Sequence, residues 1–171
     1  MIHIYCGDGK GKTTAGMGLC LRAAGAGKKV LIYQFLKDNT SSERIPLKQM
    51  PGITLLQGPD QMKFLRQMSA DEKEGLVQTY VQVLSEIGGL LLEGPPIDVI
   101  FLDEVLYGIR RGIISEEGVA ALIGAWPEKE WILTGRCEGG KLWEAADYIS
   151  VIKKEKHPYD RGIAARKGIE C

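Results

Sequence analysis

The chain has 171 residues, of which 44% are hydrophobic and 26% charged, the size and mix of a globular domain with a full apolar core. Twenty-two Lys and Arg balance twenty-two Asp and Glu, so no global field draws the chain to nucleic acid or to a membrane surface. The four cysteines (Cys6, Cys20, Cys137, Cys171) form no C-x-x-C pair, which argues against a zinc centre or a disulfide framework and suits a reducing cytoplasm. The first predicted element is a strand, Ile2–Cys6, with no basic and apolar export signal before it, so the expected location is cytoplasmic. A helix follows from about Lys12 to Ala26, rich in Ala and Gly and therefore able to pack close to a sheet. The strand Lys29–Phe35 leads into a polar, proline-containing connection, Lys37–Pro51, and then the strand Ile53–Leu56. A second polar connection, Gly58–Ser69, ends in a capping box of Ser69 with Glu72 three residues on. The helix it opens carries Leu76, Tyr80, Leu84, Ile87 and Leu91 at helical spacing, and these are read as core.

Glu93-Gly94-Pro95-Pro96 stops that helix before the strand Ile97–Asp103, whose apolar run is far short of a membrane span. Ser115 starts another helix, with Glu116 and Glu117 at its positive end. The strands Glu130–Thr134 and Tyr148–Ile152 complete the set. The basic end, Lys153–Cys171, has six Lys or Arg against three Asp or Glu and reads as a solvated face. Strands alternating with helices predict an α/β domain over residues 1–171, with a parallel sheet covered on both faces.

The chemistry is concentrated in "YCGDGKGKTTAG", Tyr5–Gly16. A phosphate loop has two glycines separated by four residues, then Lys and Ser or Thr. Gly11-Lys12-Thr13 closes that pattern, but Cys6 holds the place of the first glycine and Gly7 stands one residue too late. The context of strand, glycine-rich turn and helix still specifies phosphate binding through Gly7, Asp8, Gly9, Lys10, Gly11, Lys12, Thr13 and Thr14. Inward-facing N–H groups, the helix dipole and Lys12 would hold phosphate oxygens, with the Thr13 hydroxyl on magnesium. In "IDVIFLDE", carboxylates stand at the end of a buried strand, the edge where open α/β sheets bind ligands. One of Asp103 and Glu104 is expected to hold magnesium, directly or through water. Glu104 is the first choice, with Asp103 the second or behind it. "WILTGR" ends in a glycine turn that places Arg136 at the same edge, as a phosphate clamp or as half of a structural ion pair. His3 reads as structural, and His157 as more often a hydrogen-bond partner than a reactant. No nucleophile–base arrangement is evident.

Taken together, these segments resemble the P-loop-type corrinoid adenosyltransferases. The likeness runs nearly end to end, through "GDGKGKTTAG", "LRAAGAGKKV", "QFLK", "LDE", "LTGR", "AD", "KHP" and "GIE". The shortened loop with its additional lysine is the most specific item. The resemblance implies a six-stranded, mainly parallel sheet of RecA-like order. It also implies transfer of the 5′-deoxyadenosyl group of ATP to the Co(I) of a corrinoid, with release of inorganic triphosphate. The triphosphate would lie along the loop in the opposite sense to that in ordinary P-loop enzymes. Mg²⁺, or Mn²⁺, would accompany ATP, a reductant such as a flavoprotein would supply Co(I), and the assembly would be a homodimer without nucleic acid or membrane. Phe64 is the candidate for pressing on the lower corrinoid face, the alternative being that it anchors its connection to the body. Family members often have a tryptophan where this chain has Arg66. Longer members also carry a segment before the first strand that covers the corrinoid. The rival readings are a P-loop kinase or RecA-like ATPase, for which the full loop spacing and an arginine-rich lid are missing, and a regulatory nucleotide-binding module.

Overall fold

The computed structural model describes residues 1–170; Cys171, counted above among the cysteines, lies outside them. In chain order the elements are β1 (Ile2–Cys6), α1 (Lys12–Gly25), β2 (Val30–Gln34), α2 (Arg44–Leu47), β3 (Ile53–Leu55), α3 (Ala70–Glu93), β4 (Val99–Asp103), α4 (Val105–Arg110), α5 (Glu116–Ala125), β5 (Glu130–Thr134), α6 (Lys141–Ala145) and β6 (Tyr148–Val151). Short 3₁₀ turns cover Leu65–Gln67 and Pro158–Arg161. The six strands form one sheet in the order β3-β2-β4-β5-β1-β6, and every pairing is parallel. Every residue of β2 and β4 is buried, as expected for central parallel strands covered on both faces.

Two apolar layers flank the sheet. On one side, Met17, Cys20 and Ala23 of α1 pack with Val30, Phe101 and Ile132. Gly16 makes this approach possible, because a Cβ there would lie 2.5 Å from the Phe101 ring. On the other side, Leu76, Tyr80, Val83 and Ile87 of α3 join Val119 of α5 and Leu142 of α6 over Ile4, Leu102 and Leu133. By length and composition α3 is long and apolar enough to cross a membrane, but Leu76, Tyr80, Val83 and Ile87 pack it into the core over the sheet. Its capping box forms as expected, Ser69 Oγ accepting from the Glu72 N–H and Glu72 accepting from the Ser69 N–H. The edge strand β6 is exposed throughout. His3 has a structural place, its ring stacked on Tyr148 at 4.6 Å and its Nε2 2.8 Å from Glu130.

The register lines up one row of residues at the carboxyl edge. Gln34 lies beside Asp103, Leu102 beside Leu133, and Tyr5 beside Thr134. Gln34, Asp103 and Thr134 therefore end three adjacent strands at one level, next to the loop that leaves β1.

Candidate active site

The loop is braced from the side by the chain leaving β6. The Gly9 N–H donates to the Ile152 carbonyl at 2.8 Å, and the Lys154 N–H donates to Asp8 Oδ1 at 3.0 Å. That second bond is the main reason the Asp8 carboxyl is held below its usual range. A Cβ at Gly7, whose φ is +107°, would lie 2.3 Å from the Ile152 oxygen, so only glycine permits this contact. Gly11, at φ 116°, caps α1 without a side-chain bond, leaving the first helical N–H groups without a side-chain acceptor. Lys12 Nζ rests on the Gly9 carbonyl at 2.7 Å, and partial burial lowers its pKa. Lys10 is exposed and pairs with Glu170 at 3.6 Å. Thr14 is exposed at the start of α1.

Thr13 makes the link to the sheet. Its hydroxyl donates to Asp103 Oδ1 at 2.8 Å, and Thr134 donates to the same oxygen at 2.7 Å. On the other oxygen, Oδ2 accepts from Lys37 Nζ at 2.7 Å and from Gln34 Nε2 at 3.2 Å. Asp103 is fully buried and is satisfied by four donors of the chain itself. Thr13 has given its only hydrogen to that carboxylate, so its lone pairs remain for a cation.

Glu104 is different. It sits in the left-handed region at φ 60°, an uncommon conformation for a residue with a Cβ. Its N–H donates to Thr134 Oγ1 at 2.9 Å. No donor among the described residues reaches its carboxylate. Burial first, and the neighbouring Asp103 charge second, push its pKa up, against the pull of Lys37, Lys12 and Arg136. Among the described residues no three His, Cys, Asp or Glu side chains gather as a metal cage. The donors present, the Thr13 hydroxyl and the Glu104 carboxylate, are hard oxygens. They fit Mg²⁺ or Mn²⁺ completed by phosphate and water, with Asp103 holding Thr13 from behind.

Gly135, at φ +141°, lets the chain turn where a Cβ would meet the Tyr107 nitrogen at 2.4 Å. Arg136 beyond it is exposed and has no carboxylate within ion-pair distance among the described residues. It borders a cavity of about 260 Å³ together with Asp8, Lys10, Lys12 and His157. His157 Nδ1 accepts the Tyr159 N–H at 3.1 Å and caps the turn that follows.

A larger open cavity of about 1100 Å³ is bordered by Thr13, Thr14, Leu36, Phe64 and Tyr107. Phe64 is 70% exposed, with the Arg66 guanidinium 5.5 Å from its ring centroid. Met62, Leu65 and Met68 pack that connection against the core, so anchoring falls to them and Phe64 is left facing outward. Sequence reasoning assigned no role to Gln34, Lys37 or Thr134. The first two lie within "QFLK" and the third within "LTGR", segments already noted for the resemblance, but nothing in a linear reading shows that all three point at Asp103.

A glycine-rich loop between β1 and α1, joined through its threonine to the carboxylate ending β4, defines an α/β domain of the P-loop type. The family of ATP:corrinoid adenosyltransferases BtuR/CobO/CobP matches residues 1–171, and the chain belongs to that family of transferases. It is 28% identical to corrinoid adenosyltransferase CobA of Salmonella typhimurium and 29% identical to the corrinoid adenosyltransferase of Escherichia coli K12. Each comparison covers 99% of this chain and 85% of the relative. The corrinoid adenosyltransferase of Pseudomonas aeruginosa is 28% identical, over 99% of this chain and 83% of its own.

Proposed function

We propose that this enzyme transfers the 5′-deoxyadenosyl group of ATP to the Co(I) of a corrinoid. The electron pair of Co(I) forms the Co–C5′ bond as the C5′–O bond breaks, and inorganic triphosphate leaves with the bonding pair of that C5′–O bond. The observation that carries the proposal is the pairing of a phosphate loop with a cavity of about 1100 Å³ directly beside Thr13 and Thr14, large enough for a bulky second substrate. Co(I) is already a strong nucleophile, so a site without a general base suits the reaction. The protein's work is to align C5′ with cobalt and to stabilise the leaving charge.

Each residue has a part in that work. The uncapped N–H groups of α1, with Lys10, Lys12, Thr14 and Arg136, hold the triphosphate, running in the sense opposite to ordinary P-loop enzymes. Gly7, Asp8, Gly9 and Gly11 shape the loop. Thr13 and Glu104 would hold Mg²⁺ or Mn²⁺, with Asp103 orienting Thr13; the cation, when bound, neutralises part of the phosphate charge. Lys12 leaves the Gly9 carbonyl for a phosphate oxygen, exchanging a neutral partner for an anionic one. Phe64 presses on the lower axial face of the corrinoid, excluding water or base from cobalt and easing its reduction. A flavoprotein-type reductant supplies the electron, and the enzyme acts in the cytoplasm as a homodimer, without nucleic acid or membrane.

Phosphorus NMR of a reaction containing ATP, Mg²⁺ and a chemically reduced corrinoid tests the proposal. Free triphosphate appearing only when the reduced corrinoid is present supports it. ADP and phosphate would support an ordinary kinase or ATPase instead.

A further inference from the structure

We propose that Arg44 is a positioning residue for the cation centre, acting through Gln34 on Asp103; this rests on the site proposed above. Arg44 lies in the connection that reads as polar surface, yet it is only 2% exposed. Its Nη1 donates to Gln34 Oε1 at 3.2 Å and its Nη2 to the Leu56 carbonyl at 2.9 Å. A longer contact of 3.5 Å runs from Nη2 to Gln57 Oε1. No carboxylate lies within ion-pair distance of it among the described residues, and its Nε is a buried donor with no partner. Burial is the main cause of its lowered pKa. A buried guanidinium on these terms is costly, and an apolar side chain of similar size would fill the space more cheaply. What it accomplishes beyond filling space lies with Gln34.

Gln34 is 1% exposed and has two different ends. A guanidinium only donates and a carboxylate only accepts. Arg44 therefore takes the amide oxygen, and the amide NH₂ is turned to Asp103 Oδ2 at 3.2 Å and to Glu43 Oε1 at 2.8 Å. Reversal would set NH₂ against guanidinium and oxygen against two carboxylates. The positive charge behind the amide also polarises it toward Asp103. This matters because the other donor on Oδ2 is Lys37, whose side chain is 27% exposed and borders the large cavity. A phosphate arriving there competes for Lys37. Gln34, clamped by Arg44, cannot leave, so Oδ2 keeps a donor and Oδ1 stays turned to Thr13 and Thr134.

The test uses Arg44→Met, Gln34→Met and the double variant. Mn²⁺ binding with ATP is followed by electron paramagnetic resonance, and metal-free ATP binding by calorimetry. Arg44→Met and Gln34→Met are each expected to weaken Mn²⁺ binding about tenfold, the scale of losses in residues that support ligands. The double variant should be no weaker than Gln34→Met alone, with metal-free ATP affinity unchanged throughout. Unchanged Mn²⁺ affinity in Arg44→Met, or losses that multiply in the double variant, overturns the relay. If Arg44→Met does not fold, full Mn²⁺ affinity in Gln34→Met overturns it equally. Wild-type protein that binds ATP with no Mn²⁺ retained overturns the cation site itself, and the relay with it.

Discussion

Thr134→Val removes the hydroxyl that joins Asp103 to the backbone of Glu104. Thr134 is fully buried; it donates to Asp103 at 2.7 Å and accepts from the Glu104 N–H at 2.9 Å. Valine keeps the shape and loses both bonds. A bond to a charged partner contributes about 1.5–3 kcal/mol and a neutral one about 0.5–1.5 kcal/mol, and a buried group left unpaired lies at the upper end. The expected loss is therefore about 3 kcal/mol. For a chain of 171 residues that corresponds to a fall in Tm of roughly 10 °C. The loss has a second consequence, because the Thr134 bond helps to hold Glu104 in its left-handed conformation. ATP binding should consequently lose much of its metal dependence. Thermal melting with ATP and Mg²⁺ titrations checks both effects, and Thr134→Ser should restore both because it returns the hydroxyl. A valine variant that melts within about 1 °C of the parent, a stability change of a few tenths of a kcal/mol, with normal metal dependence, refutes the reasoning.

Lys12→Ala removes the positive charge that would face the leaving triphosphate and should abolish transfer while the melting curve is kept, since its one side-chain hydrogen bond among the described residues is to the Gly9 carbonyl of the loop; unchanged ATP binding and turnover would contradict this. Glu104→Gln should lose metal dependence and rate together. Asp103→Asn should instead lower stability, because an amide cannot accept from all four donors that now surround the carboxylate; the reverse pattern would exchange the two roles. The ATP complex of the parent is expected to give a four-coordinate Co(II) spectrum, which Phe64→Ala should lose while keeping transfer from preformed Co(I); a full spectrum in the variant would exclude Phe64 from that face.

The parts of the fold that were legible depend on short-range chemistry. β1 and β5 fall on the residues expected because apolar runs bounded by turns are local signals. The start of α3 was legible because a capping box lies within four residues. The expected strand Ile97–Asp103 begins two residues later, at Val99. Helix α4 was missed because it begins only after the backbone turns left-handed at Glu104, a turn held by Thr134 from another strand. Arg44 was hidden for the same kind of reason. Its segment is polar in composition, and only the packing of α2 beside β2 and β3 reveals that the guanidinium is buried. In the site, the loop and the carboxylates could be read because each is a contiguous motif. The row formed by Gln34, Asp103 and Thr134 could not, since it exists only once strand order and register are known.

The central claim, that the bond broken is C5′–O and the bond formed is Co–C5′, is tested most directly with ATP carrying ¹³C at the 5′ position. The labelled nucleotide, Mg²⁺ and a reduced corrinoid are incubated with the enzyme, and the carbon spectrum is read at completion. The account predicts that the label moves from the oxygen-bound to the cobalt-bound carbon position, with one triphosphate released for each label transferred. Label that remains oxygen-bound in ADP or AMP while ATP is consumed would contradict it.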